Sequence, residues 1–300
     1  ISDNAVYTFC KDREGGIWCG TYFGGVNYFP KQALSFQKYF PENGKNGLTG
    51  NVVREIHQDK NDNLWIGTED AGLNRMNMRT GKFESYTPTG TGDGISYTNI
   101  HGLLATDNEL WIGTFEHGLD VMNIKTGKVE RHYSKNTDSN SLKSNFIYCI
   151  YQSPDKDIML GTTIGAYRYN RSSDNFSPIT GLPLYTWYSS LLKDEDGIIW
   201  GATYGNGLNF ADTRTGTNGN FRYDQHNRNS LASDRINSLF QDSEHNLWLA
   251  TEGGLCKFDR NKKSFARYTT ENGFPTNCFC QRRHKCQAQR GQAVGKQKIK

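Results

Sequence analysis

Three glutamates, Glu69, Glu116 and Glu252, lie in short turns beside aromatic, amide and acidic residues. Paired carboxylates about 5–10 Å apart are the groups that glycoside hydrolysis uses as acid, base or nucleophile. Near them stand Tyr22, Phe23, Asp70, Phe115, His117, Tyr204 and Asn206, and the stretch LPLYTWYSS at 182–190 adds Trp187. Flat aromatic faces stack on the C–H face of a pyranose, while charged and amide groups take its hydroxyls. Together with Arg235 these residues make a candidate ligand rim, since concave rims lined in this way are common binding sites. For any one residue, the plainer reading is an ordinary loop aromatic or surface charge.

Other chemistry has weaker support. The chain has no G-x-S-x-G, P-loop, H-E-x-x-H or Rossmann fingerprint. His57, in REIHQD, sits in an alternating segment with no nucleotide-binding glycines nearby, so it reads as a strand residue and not a phosphoacceptor. The acidic stretches DREGG, DKNDN, DEDGI and DSEHN are too short to supply the six or so oxygens of a calcium loop. Asp, Asn and Gly are also what tight hairpins require. Seven cysteines lack C-x-x-C spacing, so no zinc site is expected. Buried thiols are the expectation, with a Cys10–Cys19 bridge across one turn as the alternative. No cofactor is expected.

These residues are positioned by a repeat. The phrases NLWIGTEDAGLNRM (63–76) and ELWIGTFEHGLDVM (109–122) are two of six versions, centred on Trp18, Trp65, Trp111, Met159, Trp200 and Trp248. Successive centres are 47, 46, 48, 41 and 48 residues apart. Periods of 40–50 residues mark propeller blades and related arrays. Each repeat runs through an alternating segment such as NVVREIHQD, an Asp-rich turn and the Trp segment. A Gly-Leu or Gly-Val turn follows, then a third alternating segment, a TGK-type turn and a short strand with an aromatic pair. Asp12, Asp59, Asp194 and Asp242 each precede their Trp by six residues. Four period-2 segments joined by tight turns predict a four-stranded antiparallel meander, and such sheets cover one another's faces in a ring. The expected fold is an all-β propeller over residues 1–277, with six blades and the start of a seventh. The recurring Trp residues are expected to pack between blades, and function is expected where the repeats differ.

The pattern D-x-x-x-x-L-W-I-G-T-x-x-x-G-L followed by T-G-K-F resembles the two-component regulator propeller repeat, over residues 1 to about 277. The resemblance implies the periplasmic sensor region of an inner-membrane hybrid histidine kinase/response regulator, of the kind found in gut Bacteroidetes, that detects oligosaccharide breakdown products. It further implies a neighbouring propeller and an immunoglobulin-like domain, a homodimeric receptor, and kinase chemistry outside this segment. Rival readings are a propeller glycan hydrolase or lyase, and a scaffold that binds only protein.

Residues 278–300 break the pattern. Positions 281–300 hold seven Lys/Arg and no acid, so the formal +4 becomes −3 over residues 1–280. Nucleic acid is therefore not an expected partner, because a basic footprint should lie on the folded part. Reading the underlying codons one nucleotide later permits NDATNAKLNEDKLWAS from Gln281, with a Trp codon across Val294 and Gly295, 46 residues after Trp248. A frameshifted seventh repeat, leaving a non-native basic tail, is the expectation.

Overall fold

A computed structural model describes residues 6–11, 17–21, 26–29, 39–41, 46–274 and 278. The chain divides into two compact units, Ile1–Phe40 and Pro41–Lys300. The basic tail beyond 278 and the fourth strand expected near Phe36 lie outside the described residues. Among the described residues, no helix is long and apolar enough to cross a membrane.

The first unit contains one antiparallel sheet of β1 (Val6–Lys11), β2 (Ile17–Thr21) and β3 (Val26–Phe29). Its register sets Cys10 opposite Trp18 and Cys19 opposite Phe9, so the two cysteines are not paired across the turn. The side chain of Cys19 lies outside the described residues.

The second unit is five four-stranded meanders of a β-propeller. The second blade is β4 (Val53–Gln58), β5 (Asn63–Thr68), β6 (Leu73–Asn77) and β7 (Phe83–Tyr86). The third is β8 (Ile100–Ala105), β9 (Glu109–Thr114), β10 (Leu119–Asn123) and β11 (Lys128–Tyr133). The fourth is β12 (Ile147–Gln152), β13 (Ile158–Thr162), β14 (Ala166–Asn170) and β15 (Asn175–Pro178). The fifth is β16 (Tyr188–Lys193), β17 (Ile198–Thr203), β18 (Leu208–Asp212) and β19 (Asn218–Phe221), and the sixth β20 (Ile236–Gln241), β21 (Leu247–Thr251), β22 (Gly254–Asp259) and β23 (Ser264–Tyr268). The first strands of these blades neighbour one another in chain order, from β4 to β20.

Cores form between blades, not within them. Trp65 of the second blade packs with Ile100, Leu103 and Ile112 of the third. Trp111 of the third packs with Ile147, Leu160 and Tyr167 of the fourth, and Trp200 of the fifth with Leu239, Leu247 and Phe258 of the sixth. Trp248 is only half-buried, with the Lys257 ammonium 5.4 Å above its ring.

In the second, fifth and sixth blades the Asp six residues before the Trp has a double task. Asp59 accepts the backbone N–H groups of Asn61 and Asn63 at 2.8 and 3.0 Å through Oδ1, and the Trp65 indole N–H at 2.9 Å through Oδ2. Asp242 does the same for Glu244, Asn246 and Trp248, and Asp194 for Ile198 and Trp200. These acidic turns are hairpin chemistry, with the carboxylate also anchoring the indole. The third blade has Ala105 at the Asp position, and there Glu109 takes the Trp111 indole N–H at 3.1 Å. The fourth has Met159 in place of Trp and Ser153 in place of Asp, so the anchor and its indole are missing together.

Acid should release these anchors. The Trp248 indole bond, with further bonds from Asn246 and Glu244, outweighs burial and holds the Asp242 carboxyl down at about 2. At Asp59 burial pushes upward, but the bonds from Asn63, Trp65 and Asn61 together keep the carboxyl below its ordinary value. A depressed folded value contributes stability that is complete above the unfolded value near pH 4 and is lost as pH falls through the folded one. The urea midpoint is therefore expected to fall between about pH 4 and pH 2. In Asp242→Asn that acid-dependent part should shrink; an unchanged pH profile would remove this carboxylate from the account.

Candidate functional site

A β-bulge recurs at one place in every blade, near the start of the first strand. The register skips Arg54, His101, Tyr148, Ser189 and Asn237 in the second to sixth blades, and Tyr7 in the first sheet. A bulge inserts an unpaired residue and re-aims its side chain. Four of these side chains, Arg54, His101, Ser189 and Asn237, line an open cavity of about 1040 Å³ along the first strands of the five blades of the second unit. Farther along it lie Glu55, Cys149, Ser190, Ser238 and Lys193. Lys193 is paired with Asp155. Burial pushes the Cys149 thiol up to about 12, and that of Cys256, in the sixth blade, up to about 11.

At one end of the cavity, the turn between second and third strands is tied to the entry of the first strand by a backbone bond. Glu69 N–H donates to Val52, Phe115 to Asn99, Tyr204 to Trp187 and Glu252 to Arg235, at 2.9, 3.0, 3.0 and 3.1 Å. Residues far apart in sequence thus share one rim. Aromatic rings run along it from blade to blade. Phe115 meets Phe146 at 4.8 Å, Phe146 meets Trp187 at 5.9 Å and Trp187 meets Tyr204 at 4.9 Å between centroids. His101 and Tyr148 pack beneath them, against Phe146 at 4.7 and 5.6 Å.

An arginine–glutamate pair stands at each end of this arc. Arg54 Nη1 donates to Glu69 Oε1 at 2.8 Å, and its guanidinium lies 4.9 Å over the Tyr148 ring. Arg235 Nη1 donates to Glu252 Oε2 at 3.3 Å, with its guanidinium 5.0 Å over Tyr204. Glu69 and Phe115 line the cavity directly, and Trp187, Tyr204, Arg235 and Glu252 continue the rim through these contacts.

Four predicted residues have local tasks instead. Asp70 accepts the backbone N–H of Asn51 at 2.8 Å, which fastens the entry loop. Glu116 is an exposed turn residue with φ of 59°, and His117 stacks on Tyr97 at 3.9 Å. Asn206 Oδ1 accepts from Arg222 at 2.6 Å, in a network with Asp234 on the outer side of the turn. Tyr22 and Phe23 lie outside the described residues. His57 is a half-buried residue of β4 whose Nδ1 accepts the Ala105 N–H at 3.3 Å, and burial lowers its pKa.

Sequence reasoning missed Arg54, His101, Phe146, Tyr148 and Asn237. Their signal was present, because the bulge residues recur 47, 47, 41 and 48 apart in step with the Trp residues. A bulge reverses the side-chain alternation, so these residues read as ordinary strand positions until the register is known.

A family model described as "Two component regulator propeller" matches residues 1–23, 47–70 and 230–253. Those three segments are two-component regulator propeller repeats by this match. Solved structures similar to this repeat array include the extracellular domain of the putative hybrid two component system BT4673 from B. thetaiotaomicron, at 23% identity and a TM-score of 0.60. Another structure of a BT4673 extracellular domain, described as a putative one component system, gives 21% and 0.61. Each comparison covers 88% of this chain and 38% of the other, so the chain spans well under half of those domains. A streptogramin B lyase structure matches at 12% identity and a TM-score of 0.53, over 91% of this chain and 86% of the lyase. At such identities the likeness is one of fold. No curated protein matches the sequence.

Proposed function

We propose that this chain is part of the extracytoplasmic sensor region of a hybrid two-component system, and that the mouth of its central cavity binds an oligosaccharide breakdown product. The observation that carries the binding site is the aromatic arc from Phe115 to Tyr204, with an arginine–glutamate pair at each end, opening on a cavity of about 1040 Å³. Stacking faces beside fixed polar groups are what a pyranose requires. The sensor context is supported by the repeat type and by the extracellular two-component domains that share the fold.

In this reading the chain lies in the periplasm as part of an inner-membrane protein. It adjoins a further propeller and an immunoglobulin-like domain, and the receptor acts as a homodimer. A ligand that binds one arrangement of the dimer more tightly shifts the population toward it, and a rigid propeller passes the bias to the kinase modules. A glycan hydrolase or lyase is less well supported, because Glu69 and Glu252 are each tied to an arginine of their own blade.

A thermal-shift screen against plant, host and microbial oligosaccharides tests the site. A ligand at about 100 times its Kd should stabilise the protein by about 2.7 kcal/mol. Trp187→Ala and Tyr204→Ala should each weaken that shift. A folded chain that responds to no glycan would make this propeller a scaffold, and release of new reducing ends would make it an enzyme.

A further inference from the structure

At the outer edge of the second, third, fourth and sixth blades, the connection entering the blade clasps the start of its fourth strand. Asp93, Asn140 and Asn229 accept the backbone N–H of Val129, Phe176 and Phe265 through their carbonyls, at 2.8, 3.2 and 2.7 Å. In the second blade Asn46 does so with its side chain. Its Oδ1 accepts the Phe83 N–H at 2.7 Å, and its Nδ2 donates to the Gly81 carbonyl at 2.9 Å. Each clasping residue stands two before a buried plug, Leu48, Ile95, Leu142 or Leu231.

The fifth blade has no such clasp among the described residues. Its plug is Leu182, and only residues 179–181 separate it from the preceding strand, where 87–94, 134–141 and 222–230 do so elsewhere. Pro178 and Leu182 can lie at most about 14 Å apart, so the connection takes a direct path to its plug. Thr180, at the clasp position, gives no acceptor to Asn218 among the described residues. The turn beneath is otherwise that of the second blade. Gly216, with φ of 75°, donates to the Asp212 carbonyl, as Gly81, with φ of 68°, donates to that of Asn77. The Asp212 N–H donates to the Thr217 carbonyl at 2.7 Å, so the alternation of an antiparallel ladder turns the Asn218 N–H outward. Beside it lies a cleft of about 470 Å³, lined by Arg168 and Ser177 of the fourth blade and by Thr180, Gly216 and Asn218.

An open strand edge is a template for an added peptide. We propose that this cleft docks an extended peptide segment of a partner protein, with a peptide asparagine seated on the Gly216–Asn218 turn as Asn46 is seated on Gly81 and Phe83. Its Oδ1 accepts the Asn218 N–H, and its Nδ2 donates to the Gly216 carbonyl. A primary amide holds donor and acceptor side by side, whereas a carboxylate has acceptors only. The trans acetamido group of an amino sugar points its N–H and C=O apart. Leu182 already fills the plug place, so the guest supplies only the polar half of the clasp.

Amide NMR of the full chain, titrated with the acetylated peptide KNGLT (the sequence at 45–49), tests this. Saturable shifts are expected at Gly216, Asn218 and Thr180. Replacing the peptide asparagine by alanine should weaken binding about ten-fold, for the loss of two hydrogen bonds. Asn218→Pro deletes the outward N–H of an edge strand, a place where proline is tolerated, and should abolish the shifts. Asn218→Ala keeps that N–H and should bind normally, with circular dichroism checking the fold of both variants. No shift at Gly216 and Asn218, or equal shifts from the alanine peptide, overturns the proposal. Equal shifts from N-acetylglucosamine would make the cleft a sugar site and overturn it as well.

Discussion

Trp111→Ala is expected to lower the stability of the second unit by about 3–5 kcal/mol, the range for emptying a large aromatic site in a core. The Trp111 side chain is fully buried at the junction of the third and fourth blades. Its ring meets Tyr169 edge-on at 4.8 Å, and the Arg131 guanidinium lies 5.4 Å over it. Arg131 also binds Glu109 and donates to the Tyr169 hydroxyl at 2.7 Å, while Tyr169 donates to Asp174 at 2.6 Å. Removing the indole therefore empties an interblade site and leaves Glu109 without one of its two donors. Trp248→Ala, at a half-buried ring, should cost clearly less. Urea unfolding of both variants gives the comparison, and equal losses would show that the interblade packing of Trp111 carries no special weight.

Gly113→Val should be the second most damaging change. A Cβ on Gly113 would lie 2.8 Å from Ile147 Cγ2, 2.9 Å from Ile147 Cβ and 2.9 Å from the Ile147 carbonyl oxygen. Backbone stands on the far side of the contact, so the fourth blade would have to move away. Overpacking of this kind costs about 1–3 kcal/mol, and valine should reach the upper end. Gly113→Ala should fall lower in the same range. The fifth blade already carries Ala202 at this position, fully buried, so the limit is set by each interblade contact and not by the repeat. If Gly113→Val melts like the wild type, the blades are free to slide apart at this junction and the packing account is wrong.

Much of this architecture could be read from the residue pattern. The repeated Trp, its six-residue distance from Asp and the Gly-Thr that follows implied four short strands per unit, and the Asp–Trp pairing proved to be one hydrogen bond made again in three blades. The exception was also encoded: Ala105 with Glu109 in the third blade marks where a different carboxylate holds the indole. Such features are local, since turn bonds and strand alternation act within about ten residues.

Which residues share the proposed rim was legible only in part. Glu69, Phe115, Trp187, Tyr204, Arg235 and Glu252 stand where the repeats differ, and the turn-to-entry bonds bring them to one edge. Asp70, Glu116, His117 and Asn206 came from the same turns but point to local partners, because the turn's own geometry decides which residue faces the cavity.

By itself, then, the sequence determined the blades: their strand number, their turns and the Trp–Asp anchors, all set by short-range periodicity and hydrogen bonding. Tertiary structure decided which side chains meet. The bulge aims Arg54, His101 and Asn237 inward, the Gly113 contact is defined by Ile147 of another blade, and the aromatic arc from Phe115 to Tyr204 arises only when strands about 47 residues apart lie side by side. Interblade packing is a property of two surfaces, and a repeat written one blade at a time specifies only one of them.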